Sequence, residues 1–145
     1  MLTLDYLYLK MVRKFSDAIN ISLKAYKRER NNLPKKLGNE AVNHFKDSWK
    51  LQGWNDNVTT RWKSRKNNKD PGRAILVGKG SGRLKRSFDY YPTHKRIMVI
   101  NDVPYGVYHN YGTSRLPRRK FMGRSRTLDE KSGVLIMRMI KRALR

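Results

Sequence analysis

The sequence predicts an α+β fold: two N-terminal helices and a C-terminal helix packed on a small antiparallel β-sheet, with long basic loops and arms. Three observations predict it. Apolar residues recur at three- and four-residue spacing towards both ends of the chain, the period of one helical face. Between them lies a run of strand-favouring residues interrupted by a turn. The joining segments are polar, basic and punctuated by glycine and proline, and no internal repeat is present.

Val12, Phe15, Ile19, Leu23 and Tyr26 define the first helical stripe and predict a helix from about Tyr6 to Arg30. Asn31, Asn32 and Pro34 punctuate it. Leu37, Ala41, Phe45 and Trp49 mark a second helix that ends near Gly53. Trp54 to Asp70 is polar and basic, with Trp62 as its main apolar anchor, and is expected to be a long loop or arm. Ala74 to Val77 suits a short buried strand, broken by Gly78, Gly80 and Gly82. Residues 84–91 and 96–101 are expected to form an antiparallel hairpin about Pro92, Thr93, His94 and Lys95, because Ile97, Met98, Val99 and Ile100 put strand-favouring side chains on both faces.

Pro104 closes the hairpin and suits the start of a helical turn, where its missing N–H is not needed. Tyr105, Tyr108 and His109 then share one face of a short helix. Gly112 is placed to stop it by adopting positive φ. Pro117 opens an extended arm within a stretch holding Arg115, Arg118, Arg119, Lys120, Arg124 and Arg126, and Phe121 with Met122 supplies its apolar anchor. Thr127 and Glu130 have capping-box spacing ahead of a last helix marked by Leu135, Ile136, Met139, Ile140, Ala143 and Leu144. Gly133 weakens the first turn by about 1 kcal/mol, so that helix is expected to begin after it.

At 145 residues the chain is expected to form a single domain, 1–145, able to bury roughly two-thirds of its unfolded surface. A net charge of +23, spread along the chain, favours polyanions or acidic protein surfaces as partners. With no cysteine, neither disulfides nor thiolate metal sites contribute. No run approaches the ~20 apolar residues of a membrane span, and the opening segment lacks the features of a secretory signal, so no membrane association is expected.

The spacing of Gly78, Gly80 and Gly82 matches neither phosphate-binding glycine pattern and reads as a loop that needs positive φ. His44, His94 and His109 form no recognisable metal signature. No nucleophile elbow is present and the carboxylates, apart from the adjacent Asp129 and Glu130, are scattered singly. We therefore expect no catalytic, cofactor or metal site and no enzymatic activity.

The segment PYGVYHNYG followed by PRRKFMG resembles the phage virion morphogenesis family, the tail-completion and neck proteins of Mu-like phages. Pro104, Tyr105, His109 and Gly112 match its first half; Pro117, Arg118, Arg119, Phe121 and Gly123 match its proline/arginine-rich second half. Upstream, LPKKLGNEAVNHFKDSWKLQGW, the pair Trp62 and Arg65, RAILV and SGRLKRSF follow the family's order. The resemblance covers roughly residues 33 to 144 and leaves the first 32, an N-terminal helix, outside it. Gly106, where the family more often has alanine, and Lys120 are departures.

The resemblance implies a structural virion protein in the neck or tail, assembled in the bacterial host cytoplasm. It implies a homo-oligomeric ring around the DNA channel, hexameric to match the tail axis. Its implied partners are portal or head-completion proteins, tail-terminator or tail-tube proteins, and viral double-stranded DNA in the lumen. Ring closure requires two different patches to meet. Tyr105, Tyr108, His109, Arg115, Arg118, Arg119, Lys120 and Phe121 are the candidate interface residues, with Phe121 anchoring an arm that reaches beyond its own domain. Arg61, Lys63, Arg65, Lys66 and Lys69 are the candidate lumen residues. Because a tight grip on DNA would hinder its passage, only loose screening is expected. Basic clusters flanked by Trp62 and Phe121 also fit a sequence-independent nucleic-acid-binding protein, the main alternative.

Overall fold

A computed structural model describes residues 4–65, 72–78, 81–93 and 96–143. The protein has the expected α+β character. In order, its elements are α1 (Leu4–Leu51), β1 (Gly53–Trp54), β2 (Thr60–Arg61), α2 (Arg83–Arg86), β3 (Phe88–Pro92), β4 (Ile97–Asn101), α3 (Gly106–Tyr111) and α4 (Arg126–Ala143). The chain divides into two compact units, Met1–Leu33 with Val134–Arg145, and Pro34–Gly133.

The two expected N-terminal helices are one helix. Pro34 lies inside α1 and does not end it. A proline costs its own N–H bond and crowds the preceding turn, but the residues after it are held by packing, and that tertiary gain overrides the local penalty. The unit boundary falls at this proline.

In the larger unit, Val42, Phe45 and Trp49 of α1 build the core with Trp54, Trp62, Leu84, Phe88, Val103 and Phe121. Trp49 is central: its ring lies 5.5 Å from Trp62, 6.0 Å from Phe88 and 5.2 Å from Phe121, centre to centre. Such offset and edge contacts suit the aromatic quadrupole. Two of the three buried tryptophans have indole N–H bonds to backbone carbonyls, Trp49 to Leu76 O at 3.2 Å and Trp62 to Lys120 O at 2.7 Å.

The predicted hairpin pairs β3 with β4 in antiparallel register, from Phe88 opposite Asn101 to Pro92 opposite Ile97. Its first strand starts at Phe88, not at residue 84, because Arg83–Arg86 forms the helical turn α2 that plants Leu84 in the core. His94 and Lys95 of the turn lie outside the described residues. The expected loop from Trp54 begins with a short antiparallel pair, Gly53 opposite Arg61 and Trp54 opposite Thr60.

Ala74–Val77 is not a strand. Leu76 has φ 60°, which breaks the pleat, and several of the segment's polar groups are taken by side chains. Gln52 Oε1 accepts from Ile75 N–H at 2.6 Å, and the Arg65 guanidinium donates to Ala74 O. The last helix starts before Gly133, at Arg126, and the Thr127–Glu130 box is replaced by a cap from elsewhere. Asp56 Oδ1 accepts from Arg126 N–H at 2.9 Å and from the Ser125 hydroxyl at 3.3 Å, while Leu128 N–H donates to Ser125 Oγ. The Asp56 carboxyl is slightly desolvated, which opposes ionisation. The N–H groups of Asn57, Thr127 and Arg126 and the Ser125 hydroxyl outweigh this and hold it below the usual aspartate range.

In the smaller unit, Met139 and Ala143 of α4 are buried. Ile19, Leu23 and Tyr26 of α1 line an apolar groove of about 390 Å³ with Ile140 and Ala143. The α1 stripe read from the sequence is real but largely uncovered, with Phe15 69% exposed. Leu144 lies outside the described residues. Among the described residues, no helix is long and apolar enough to cross a membrane.

Candidate cationic interface

The segment after β2 and the segment after α3 are sewn together side by side. Trp62 donates through its indole to Lys120 O, and the Arg119 guanidinium donates back, Nε to Lys63 O at 2.9 Å and Nη2 to Ser64 O at 3.2 Å. On its other side Arg119 N–H donates to His109 O at 2.8 Å. Asn110 of α3 is buried, and its Oδ1 accepts from Phe121 N–H and Met122 N–H at 2.9 and 3.1 Å. Gly112 ends α3 at φ 80°, and a Cβ there would meet Arg118 N at 2.9 Å. Only glycine permits both the turn and that approach.

These ties unite two basic clusters that are separate in the sequence. One cleft of about 430 Å³ is lined by Arg61, Trp62, Ser64, Arg65, Arg73 and Ile75 among others. A second, of about 410 Å³, is lined by Lys63, Ser64, Arg65, Arg115, Leu116, Pro117 and Arg119 among others. They share Ser64 and Arg65, and no Asp or Glu is among their described lining residues. Arg65 Nη1 donates to Arg73 O at 3.0 Å and Nη2 to Ala74 O at 2.5 Å, so the guanidinium is fixed between the two clefts. Burial, and then the charge of Arg65, lowers the pKa of Arg119. Guanidinium groups stay protonated under such pressure, and the result is concentrated, oriented positive charge suited to carboxylate or phosphate oxygens.

The interface candidates are thereby sorted. Arg115 lines a cleft and Arg118 is exposed; Tyr105 and Tyr108 are 44% and 56% exposed on and beside α3. Phe121 and Arg119 do not anchor a free arm. Phe121 is 2% exposed in the core of its own unit, and Arg119 is buried and bonded to backbone carbonyls. Lys120 lies over the Trp54 ring, 3.9 Å from its centre, and donates to Arg124 O. Of the lumen candidates, Arg61, Lys63 and Arg65 line the clefts, and Lys66 and Lys69 lie outside the described residues. Sequence reading missed Val107 and Tyr111, 59% and 71% exposed on α3; their i, i+4 spacing was the available signal. It also missed Gln52, Asn110 and Asp56, whose roles arise from distant partners. Among the described residues, no group of three His, Asp or Glu side chains is placed to hold a metal ion.

Two imidazoles in this unit have their pKa values lowered by burial. His44 is 1% exposed beside Phe45 and Trp54. Asn55 Nδ2 meets its Nδ1 at 3.3 Å, and its Nε2 finds no partner among the described residues. Burial first, then Lys131, lowers its pKa from 6.5. His109 packs edge-on to Tyr105, and burial first, then Arg119, lowers its pKa from 6.5 too. In each case the unfolded chain binds a proton more readily than the folded one. The stabilisation is therefore complete above the unfolded value of 6.5 and lost as pH falls through the folded value. The denaturation midpoint of the larger unit is expected to drop between about pH 7 and about pH 5, and His44→Phe is expected to flatten that slope; a wild-type midpoint constant across the interval would contradict it.

Comparison of the chain with protein-family models, curated proteins and solved structures finds no match.

Proposed function

We propose that this chain is a non-enzymatic component of a tailed-phage virion, a tail-completion or neck protein that helps join head to tail as a homo-oligomeric ring around the DNA channel. Two things support the reading: the ordered motifs from Trp62 and Arg65 to the Phe121 segment, and the packing that makes those motifs a single body. The observation that carries it is the bonding of Trp62 to Lys120 O and of Arg119 to Lys63 O, which joins the Trp62–Arg65 pair and the proline/arginine segment into the walls of one cationic surface. A ring subunit needs such a rigid, charged patch to meet a different patch on its neighbour. The exposed Tyr105, Tyr108 and Tyr111 around α3 supply amphipathic side chains of the type enriched at interfaces.

The test is genetic and structural. Deleting the coding sequence from a phage that carries it is expected to leave filled or emptied heads and separate tails, seen by electron microscopy, with joining restored by the gene supplied in trans. Joined, infectious particles lacking the polypeptide would overturn the reading. The net charge of +23 favours a second reading, sequence-independent nucleic-acid binding. In that case the purified chain binds duplex DNA as a monomer, with affinity falling steeply with salt.

A further inference from the structure

The two clefts are concave, and this restricts what occupies them. Each falls in the size range of small-ligand sites, about 300–1,000 Å³, and they meet at Ser64 and Arg65 as one track. A DNA duplex presents its phosphates on a broad rod and reaches only the rims of such a track. A single extended chain enters it.

The walls then separate a peptide from a nucleic-acid strand. Single-stranded nucleic acid is held by stacking bases on exposed aromatic faces. The aromatic side chain in these walls is Trp62, which is 7% exposed and already packed edge-on against Trp49. The remaining non-polar surface is aliphatic, Ile75 in one cleft and Leu116 with Pro117 in the other. Cations share the walls with these patches: Arg61 and Arg73 in one cleft, Lys63, Arg115 and Arg119 in the other, and Arg65 in both. In an extended peptide, side chains alternate in direction along the strand, so carboxylates and aliphatic groups can each face their complement. Arginine clusters are a recurring means of reading acidic segments.

We infer that the paired clefts seat an extended, acidic segment of a partner polypeptide, in which carboxylates alternate with aliphatic side chains. The inference rests on reading this surface as a protein interface, and it adds the chemistry of the partner. Arg65 and Arg119, their forks already spent on carbonyls, set the field and the shape of the track. Lys63 and Arg115, both exposed, make the reversible contacts.

The experiment measures fluorescence anisotropy of the full chain at about 0.15 M salt. The probe is a labelled peptide of alternating Glu with Val and Leu, about eight residues long, or roughly 26 Å at about 3.3 Å per residue. Lys63→Glu and Arg115→Glu together are expected to weaken binding about tenfold or more. Lys24→Glu with Lys27→Glu, the same charge change on exposed α1 in the smaller unit, is expected to leave it within about twofold. Thermal midpoints of all variants are measured alongside, and both cleft side chains are exposed, so folding is expected to persist. The inference is overturned if the wild-type chain does not bind the peptide, or if Lys24→Glu with Lys27→Glu weakens binding as much as the cleft pair does. It is also overturned if a single-stranded or duplex oligonucleotide of equal charge binds more tightly and depends on Lys63 and Arg115. Such a failure leaves the head–tail joining experiment free to succeed, and an unjoined-particle failure leaves the peptide measurement free to succeed.

Discussion

Phe121→Ala is expected to destabilise the larger unit by about 3–5 kcal/mol, the usual cost of emptying a buried phenylalanine site. The ring is 2% exposed and touches Trp49 and Phe88, 5.2 and 6.0 Å away between centres. Its backbone N–H is held by Asn110, so the chain around the void cannot readily collapse to fill it. Against a typical total stability of about 5–15 kcal/mol, the loss is large. Urea denaturation is the measurement, and a shift below about 1 kcal/mol would place the ring outside the core. Because the subunit itself is weakened, failure of this variant to assemble would say nothing about an interface.

Arg119→Met is the second. Methionine approximates the length and apolar stem of arginine but removes both donors, leaving Lys63 O and Ser64 O without those bonds. An unsatisfied acceptor costs about 1–3 kcal/mol when fully buried, and less here, where both bonds are part-buried. Part of this is offset, since removing a buried guanidinium also relieves its repulsion with Arg65. A net loss of about 1 kcal/mol is expected, together with faster amide exchange at residues 62–65. A variant as stable as wild type, with exchange unchanged, would show that the two segments hold together without this side chain.

The sequence made the periodic parts of the fold readable, and the reason is physical. The stripes of α1 and α4 and the alternation in β4 are local signals, written at intervals of two to four residues. The continuity of α1 through Pro34 was not readable, because it is decided by packing further along the helix. Residues 74–77 look like a strand by composition, yet backbone groups among them are taken by Gln52, Trp49 and Arg65, 23, 27 and 9 residues away. The helix cap of α4 comes from Ser125 together with Asp56, about one half of the chain away, so the local Thr127–Glu130 pattern was a false lead. The site divides in the same way. Both basic clusters are visible as composition, but their union depends on the Trp62–Lys120 bond, 58 residues apart in sequence. Phe121 could be read as an anchor; that it anchors inward is set by Trp49 and Phe88.

All of the chain's tryptophans, Trp49, Trp54 and Trp62, belong to the larger unit. Indole emission is consequently a private reporter of that unit and blind to the melting of Met1–Leu33 and its α4 partner segment. Circular dichroism at helical wavelengths sees both. Running the two spectroscopies on one sample thus separates the unfolding of the aromatic body from that of the helical one, with no label and no mutation.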